Sequence, residues 1–385
     1  MTTPAEAANA NAPDRMGAHR MNRRDLCRSA LASWSFPVFA APLAACGALP
    51  STGRGAGGGG SGGRDAALLL PLTGSLAALG QNMGRAASLV TQGVAPADAP
   101  KVYDTADTAE GAAAAARAAL AAGAKILLGP LRSDQTPSVL AVAGKVPVIT
   151  FSNDDALGPQ GAFVMGITPA QSVSTMFSYA RAQGLTRIAL VARDTPLGVA
   201  SAQAAVRIAA AGGISLTATL LRDPAAGGLA DAIRQAGGGT SPQAVFLPDG
   251  GASLAGFARG LKGSDLQILG SVQWGVDDVT ADSNLAGAWF AAPPPDLFLP
   301  FADRFQAAYG EQPGIVAALG HDAALLAVGL GNARQLNHKG VTRGAGFTGV
   351  LGAFRFLADG RCQRDLTVLG IEGGKILLLG EVAGS

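Results

Sequence analysis

The segment AALLLPLTGSLAALGQ, residues 66–81, decides the fold class of this chain. Residues 66–70 are all apolar and the run ends at Pro71, a pattern typical of a short strand buried on both faces of a parallel sheet. Apolar side chains then recur with helical spacing over residues 81–92. A buried strand followed by a helix is the repeating unit of an α/β protein.

The same unit recurs along the rest of the chain. Predicted strands cover residues 102–103, 125–128, 147–150, 187–191, 214–221, 244–247 and 266–269. Predicted helices cover residues 107–122, 172–182, 197–211, 230–235 and 254–261, with another between 128 and 147. Asp107 and Glu110 are expected to form a capping box at the start of the first of these helices. The alternation favours mostly parallel sheets with helices on both faces.

The length of this α/β region, roughly 320 residues, exceeds what one hydrophobic core usually supports. We therefore expect two lobes, with a crossover near residues 166–169, where the first series of units gives way to the second. Two open sheets that face each other bring the carboxyl ends of their strands to a shared cleft, which is where ligands bind in this architecture.

Residues 1–45 are expected to be a leader with a lipoprotein signal peptide, and Met16 or Met21 is an alternative start. The sequence LAAC at residues 43–46 resembles a lipobox, which implies cleavage before Cys46 and attachment of a lipid to that cysteine. The pair Arg23-Arg24 resembles a twin-arginine export signal; the alternative is a leader for ordinary secretion. Residues 46–64 would hold the lipidated cysteine and a tether, in which the Gly-rich residues 50–64 form a flexible linker with a typical span of about 20 Å.

These features predict an exported protein, anchored by lipid in the cell envelope and facing the periplasm. Gly47 stands where enteric bacteria use Asp to retain lipoproteins at the inner membrane, so sorting to the outer membrane is a further expectation. After the leader, basic and acidic residues are equal in number, so there is no electrostatic case for a nucleic acid partner. We expect no segment after Cys46 to cross a membrane.

The remaining cysteine and histidine residues favour a protein that is not an enzyme. Cys27 would be removed with the leader and Cys46 acylated, which leaves Cys362 as a small packing residue rather than a nucleophile. His321 lies in an apolar helical stretch and is expected to be a core or hydrogen-bonded residue. The chain has no nucleophile elbow, His-Glu-x-x-His or Cys-x-x-Cys motif, so we expect no catalytic residue, metal or cofactor.

Several motifs resemble those of type I periplasmic binding proteins. They are LLLPLTGS at residues 68–75, GPLRS at 129–133, VPVITFS at 146–152, and GHDA at 320–323 inside a helix, where this family often has Tyr-Asp-Ala. The resemblance extends from residue 65 to the C-terminus and implies two lobes joined by three crossovers. The first lobe would contain residues 65–167 and 296–343, and the second lobe residues 168–295 and 344–385.

Two functional classes compete within this resemblance. One is the receptor of an ABC transporter for amino acids or a related small polar solute, as in the branched-chain amino acid receptors. The other is the penicillin-binding protein activator group, whose members stimulate a peptidoglycan synthase. The stretch GFTGVLGAFRF at residues 346–356, followed by RDLTVL at 364–369, resembles the ending of the activator group. It predicts a hairpin in which residues 354–356 pair with residues 366–371 across a turn at Asp359-Gly360. The activator is therefore the preferred interpretation.

The resemblance also indicates candidate ligand residues in the cleft. Receptors of this kind bind the α-carboxylate of an amino acid through hydroxyls after the strands, such as Ser133 and Ser152, although each of these could instead be a helix cap or a loop turn. Asp249 could pair with the ammonium group or be a turn residue. The aromatic and acidic side chains that receptors place near Gly250 and Ser253 are missing. The candidate cleft residues are Thr73, Gly74, Ser133, Ser152, Asn153, Thr195 and Asp249.

Overall fold

The computed structural model describes residues 65–95, 99–276 and 278–384. The leader of residues 1–45 and the tether of residues 46–64, including Cys46, lie outside the described residues. Within the described ranges the strands form a five-stranded sheet, a seven-stranded sheet and a small three-stranded sheet. The chain is therefore an α/β protein with two large sheets, as the sequence predicts.

The first large sheet is entirely parallel, with the strand order β2-β1-β3-β4-β5. Its strands are β1 (Ala66–Leu70), β2 (Lys101–Asp104), β3 (Ile126–Leu128), β4 (Val148–Thr150) and β5 (Ala162–Val164). The helices of this part of the chain are α1 (Ala77–Thr91), α2 (Ala109–Ala121) and α3 (Thr136–Ala143). In β1, Leu68 and Leu70 contact one hydrophobic cluster and Leu69 contacts another, so both faces of the sheet are buried.

The second large sheet has the order β15-β14-β10-β9-β8-β6-β7. Its parallel strands are β6 (Arg187–Ala192), β7 (Ser215–Leu221), β8 (Ala244–Leu247), β9 (Gln267–Gly270) and β10 (Trp289–Ala292). Two antiparallel strands, β14 (Leu366–Glu372) and β15 (Lys375–Val382), extend it beyond β10. The helices that follow β5, β6, β7 and β8 are α4 (Pro169–Ala182), α5 (Pro196–Gly212), α6 (Leu229–Ala236) and α7 (Gly251–Gly260).

The chain then returns to the first lobe through α8 (Pro295–Tyr309), α9 (Ile315–Asn332) and the short α10 (His338–Val341). By length and composition α9 could cross a membrane, since its mean hydropathy is 1.4, but 67% of it is buried inside the fold. The sequence predicted a helix around residues 320–323, but not one of this length and hydropathy. It packs in the same cluster as β1, so its apolar character is explained by the core of the first lobe.

The third sheet corrects the predicted lobe boundary and hairpin. It consists of β11 (Phe347–Gly349), β12 (Gly352–Phe356) and β13 (Cys362–Arg364), all antiparallel. Phe354 and Phe356 pack in the core of the first lobe, so the assignment of residues 344–364 to the second lobe was wrong. The partner of β12 is β13, because the chain leaves for the seven-stranded sheet at Asp365 and residues 366–371 pair with β10 and β15 instead.

The start of α2 also differs from the prediction. Thr108, rather than Asp107, caps this helix by accepting a hydrogen bond from the Gly111 N–H at 2.9 Å. Asp107 has a φ of 53° and its carboxylate is directed to the loop after β1, where it accepts from Leu76 N–H. The sequence could not distinguish the two because both residues are good caps.

Candidate functional site

The cleft of a two-lobed α/β protein lies at the carboxyl ends of the parallel strands, and the loop after β1 forms part of it. The Thr73 hydroxyl donates to the Asp104 carboxylate at 2.7 Å, and that carboxylate also accepts from the N–H groups of Leu72 and Ala106. Burial opposes the charge of Asp104, but these hydrogen bonds outweigh burial and hold its pKa below the ordinary value. Thr73 is thus part of a loop anchor.

Gly74 belongs to the same anchor. Its φ is +91°, and an added Cβ would lie 2.6 Å from the Cβ of Asp107, so a side chain does not fit there. Asp107 accepts from the Ser75 hydroxyl and from the Gln135 amide, the latter at 3.4 Å. The loops after β1, β2 and β3 are therefore joined through one carboxylate, and this part of the cleft is preorganised.

The two candidate serines of the first lobe have different environments. Ser133 is exposed and begins a 3₁₀ turn after β3, where its neighbours Arg132 and Asp134 form an ion pair with 2.7 Å between Nη2 and Oδ2. Ser152 is buried, and its hydroxyl accepts from the Asp154 N–H at 3.1 Å. The Ser152 hydroxyl therefore supports a loop turn, which was the alternative to binding a ligand carboxylate.

The residues that follow Ser152 form an Asx turn. The Asp154 carboxylate accepts from the Ala156 N–H at 3.0 Å and caps the following 3₁₀ turn. Asp154, and not Asn153, makes this turn. Asn153 is exposed and lines the junction with the second lobe.

The second lobe contributes Thr195 and Asp249. Thr195 caps α5, with its hydroxyl accepting from the Gly198 N–H at 3.2 Å. Asp249 is only 5% exposed, and it accepts from the Arg193 N–H at 3.0 Å, which joins the loops after β6 and β8. Burial raises the pKa of the Asp249 carboxyl above its ordinary value, while the Arg193 N–H and the Arg193 charge oppose that shift.

Both lobes line one small cavity at the inner end of the cleft. Asn153 and Thr168 line it from the first lobe and its crossover, and Ser201 and Gln273 line it from the second lobe. Its volume is about 10 Å³, roughly the space that one water molecule needs. The structure thus brings Asn153 close to the second lobe.

A buried ion pair lies beside the crossovers. Arg364, at the end of β13, and Asp322, in α9, are both completely buried, with 3.9 Å between Nη1 and Oδ2. Asp322 accepts from the N–H groups of Val350 and Leu351 at 2.8 and 3.2 Å, which holds the turn between β11 and β12 against α9. The guanidinium carbon of Arg364 lies 4.7 Å from the centre of the Phe354 ring.

The same region links the three passages of the chain between the lobes, which follow β5, β10 and β13 in the described structure. Arg364 donates to the carbonyl of Met165, at the end of β5, at 3.1 Å. Gln171, in α4, donates to the carbonyl of Cys362 at 2.7 Å, and Thr367 donates to the carbonyl of Ala292 at 3.0 Å. The third passage is therefore hydrogen-bonded to both of the others through buried side chains, and this set of bonds is called the hinge network below.

His321 and Cys362 have the structural roles expected of them. His321 is buried with Nδ1 3.2 Å from the Asp322 carboxylate, and its ring makes an edge contact with Phe301 at 5.1 Å between centroids. Cys362 is buried in the core of the first lobe, and desolvation raises the pKa of its thiol to about 11. A thiol with such a pKa is almost entirely protonated near neutral pH and is a poor nucleophile.

Sequence reasoning missed Arg364 and Asp322 as members of one network. The GHDA motif drew attention to Asp322, and RDLTVL contains Arg364, but both were read only as family markers. An Asp and an Arg in otherwise apolar stretches are a signal, since buried charges are usually paired. Within the described part of the chain, no group of three or more His, Cys, Asp or Glu side chains is placed to hold a metal ion.

A sequence model of the periplasmic binding proteins matches residues 65–375. The chain belongs to the periplasmic binding protein family. This assignment implies an exported periplasmic protein. No curated protein sequence matches the chain significantly.

Solved structures of this family share the fold. A protein described as a branched-chain amino acid ABC transporter from Rhodospirillum rubrum has 23% identity and a TM-score of 0.71, over 82% of this chain and 99% of that one. Full-length LpoA from Haemophilus influenzae has 19% identity and a TM-score of 0.66, over 82% of this chain but 58% of LpoA. A benzoate-bound solute binding protein from Rhodopseudomonas palustris has 19% identity and a TM-score of 0.59, over 83% and 96% of the two chains. The two-lobed type I fold is therefore confirmed.

Proposed function

We propose that this periplasmic binding protein is a non-enzymatic regulator of a peptidoglycan synthase, which it activates by direct contact. The observation that carries the proposal is the use of the candidate cleft groups within the fold itself. The Thr195 hydroxyl caps a helix, the Ser152 hydroxyl supports a loop turn, and the Asp249 carboxylate binds a backbone N–H of the neighbouring loop. Groups that are already engaged are less available for the carboxylate and ammonium of an amino acid.

The hinge network supports the same function. A solute receptor of two lobes closes by rotation about the segments that connect the lobes. Here the Gln171 amide, in α4 of the second lobe, donates to the carbonyl of Cys362, in the core of the first lobe, at 2.7 Å, and both residues are buried. Rotation of the lobes would break this hydrogen bond, which water cannot readily replace, and this favours a body of fixed shape. A fixed shape suits a protein that acts through its surface.

The likeness to LpoA, a penicillin-binding protein activator, adds to this proposal, together with the sequence resemblance of residues 346–369 to that group. The chain spans 58% of LpoA. The similarity therefore does not extend to contacts that LpoA makes outside the part that the two proteins share.

The second candidate is a solute-binding protein of an ABC transporter for an amino acid or a related small polar molecule. The match over 99% of the R. rubrum protein favours it. In that case the solute would be surrounded by the candidate cleft residues, namely Thr73, Gly74, Ser133, Ser152, Asn153, Thr195 and Asp249. A permease would then be the protein partner in place of the synthase.

Thermal unfolding distinguishes the two functions. The chain with Cys46→Ser, which cannot be acylated, is heated with each of a panel of amino acids, small amides, aromatic acids and muropeptides. A ligand at about 100 times its Kd stabilises a protein by about 2.7 kcal/mol, which is a readily measured rise in Tm. The proposal expects no rise, together with capture of a purified penicillin-binding synthase and faster glycan synthesis or crosslinking in its presence. A rise in Tm with one solute that Asp249→Asn removes would instead establish the receptor.

We further propose that Cys46 carries the lipid that holds the protein at the membrane, with the chain exported through the twin-arginine route and sorted to the outer membrane. Cys46→Ser is expected to move the protein from the membrane fraction to the soluble periplasmic fraction. Replacing Arg23-Arg24 by Lys-Lys is expected to block export of the otherwise unchanged chain. Fractionation with the inner membrane would contradict the outer-membrane assignment, and unimpaired export of the Lys-Lys variant would contradict the twin-arginine route.

A further inference from the structure

A small, partly open cavity lies between the lobes. Six of its lining residues carry polar side chains, namely Asn153, Thr168, Ser172, Ser201, Ser271 and Gln273. A void lined by apolar side chains stays dry, whereas a polar one of sufficient size holds ordered water. With a volume of about 10 Å³, this cavity has about the space that one water molecule needs.

Most of the hydroxyls around the cavity have partners within the protein. Ser271 donates to the carbonyl of Pro248 at 2.6 Å and accepts from the Gln273 N–H at 3.1 Å. Ser172 accepts from the Val272 N–H at 3.4 Å, and Thr168 accepts from the Gln171 N–H at 3.3 Å. These groups position the walls of the cavity.

Ser201 is the exception. It lies in α5 and is only 1% exposed, and its Oγ has no hydrogen-bond partner among the described residues. A buried hydroxyl without a partner costs about 1–3 kcal/mol in mutational data, so such groups are nearly always paired with protein or with water. Asn153, on the opposite lobe, has an amide group that can both donate and accept.

We propose that this cavity is a binding site for one ordered water molecule, which links Ser201 Oγ in the second lobe to the Asn153 amide in the first. A water molecule needs two to four polar partners, and the cavity supplies one from each lobe with the Ser172 and Gln273 side chains beside them. The bond between the lobes is then nearly as strong as a direct hydrogen bond.

The site extends the hinge network to the cleft. The hinge network joins the connecting segments, whereas the water joins α5 to the loop after β4 and so sets the separation of the lobes at the inner end of the cleft. The inference concerns the spacing of the lobes and stands independently of the proposed function.

A high-resolution crystal structure of the Cys46→Ser protein tests the site directly. We expect density for one water within about 3.2 Å of both Ser201 Oγ and the Asn153 side chain. A cavity without density, or a water that reaches only one lobe, would overturn the proposal.

A double-mutant cycle tests the link in solution. Ser201→Ala and Asn153→Ala each remove one partner of the same water, so each is expected to lower Tm by about 1–2 °C, and the double variant by no more than the larger single change. Strictly additive shifts would contradict a shared water. The control cycle combines Ser178→Ala and Asn332→Ala, which are both exposed on different helices, and is expected to be additive.

Discussion

Asp322 offers the sharpest test of how the first lobe and the crossovers are held together. Its carboxylate is completely buried and binds the N–H groups of Val350 and Leu351, while Arg364 lies 3.9 Å away with no exposed surface. Asp322→Asn keeps the shape of the side chain but removes the charge. The amide can accept through one oxygen only, so one of the two N–H groups loses its partner.

The expected cost follows from these contacts. Removing one member of a buried ion pair lowers the free energy of unfolding by roughly 3–5 kcal/mol, because the remaining charge is left uncompensated. Nε of Arg364 already has no hydrogen-bond partner among the described residues. The buried surroundings of Arg364 therefore offer little to replace the lost charge of Asp322. For a folded body of roughly 320 residues the unfolding entropy is about 0.7 kcal/mol per kelvin. We therefore expect Tm to fall by about 4–7 °C.

The assay is thermal unfolding of the Cys46→Ser protein followed by circular dichroism, with Asp303→Asn as the matched control. Asp303 is exposed on α8, and its substitution is expected to change Tm by less than about 1 °C. A loss below about 1 °C for Asp322→Asn would refute the reasoning. In an Arg364→Met background the same substitution is expected to cost at least about 1 kcal/mol less, since no buried cation is left unpaired.

Three further predictions concern single positions. Gly349→Ala is expected to lower Tm by more than about 5 °C or prevent folding, because the added Cβ would lie 2.2 Å from the Asp322 carboxylate. The control is Gly329→Ala in α9, where the space around the glycine is open. It is expected to be neutral or to stabilise the protein by up to about 1 kcal/mol. The pKa of the Cys362 thiol is about 11 in the folded protein, against an ordinary value of 9.0. Between pH 9 and 11 only the unfolded chain loses this proton, so the free energy of unfolding is expected to fall as pH rises through that range. In denaturant titrations over the same range, Cys362→Ala is expected to show a weaker decline. Thr195→Ala is expected to cost about 1 kcal/mol in urea unfolding through loss of the α5 cap, and Thr195→Ser to restore most of it; equal losses for both would contradict a capping role.

Most of the fold was predictable because it depends on local patterns. Short apolar runs such as Ala66–Leu70, which end at a breaker such as Pro71, are typical of buried strands, and the strand Ala244–Leu247 was predicted with the bounds that it has. The start of α1 was predicted at Gln81 but lies at Ala77, because the ends of helices depend on caps and tertiary contacts.

The candidate site was predictable in position but only partly in role. The topology places Thr73, Ser133, Ser152, Thr195 and Asp249 in loops after strands, as expected. Their hydrogen-bond partners could not be predicted from the sequence, because the neighbouring loop decides whether a hydroxyl binds a ligand or a backbone N–H. Asp249 is an example, since its partner Arg193 is 56 residues away in sequence.

By itself the sequence determined the α/β class, the two large sheets and the family resemblance, because periodicity and motif are properties of neighbouring residues. Only the tertiary structure decided that residues 347–364 belong to the core of the first lobe, and that β13 rather than β14 is the partner of β12. It also decided that Arg364 and Asp322, separated by 42 residues, share one buried network. The reason is physical: a strand that alternates apolar and polar residues can pair with several others, and the choice among them is made by the long-range packing of its buried face.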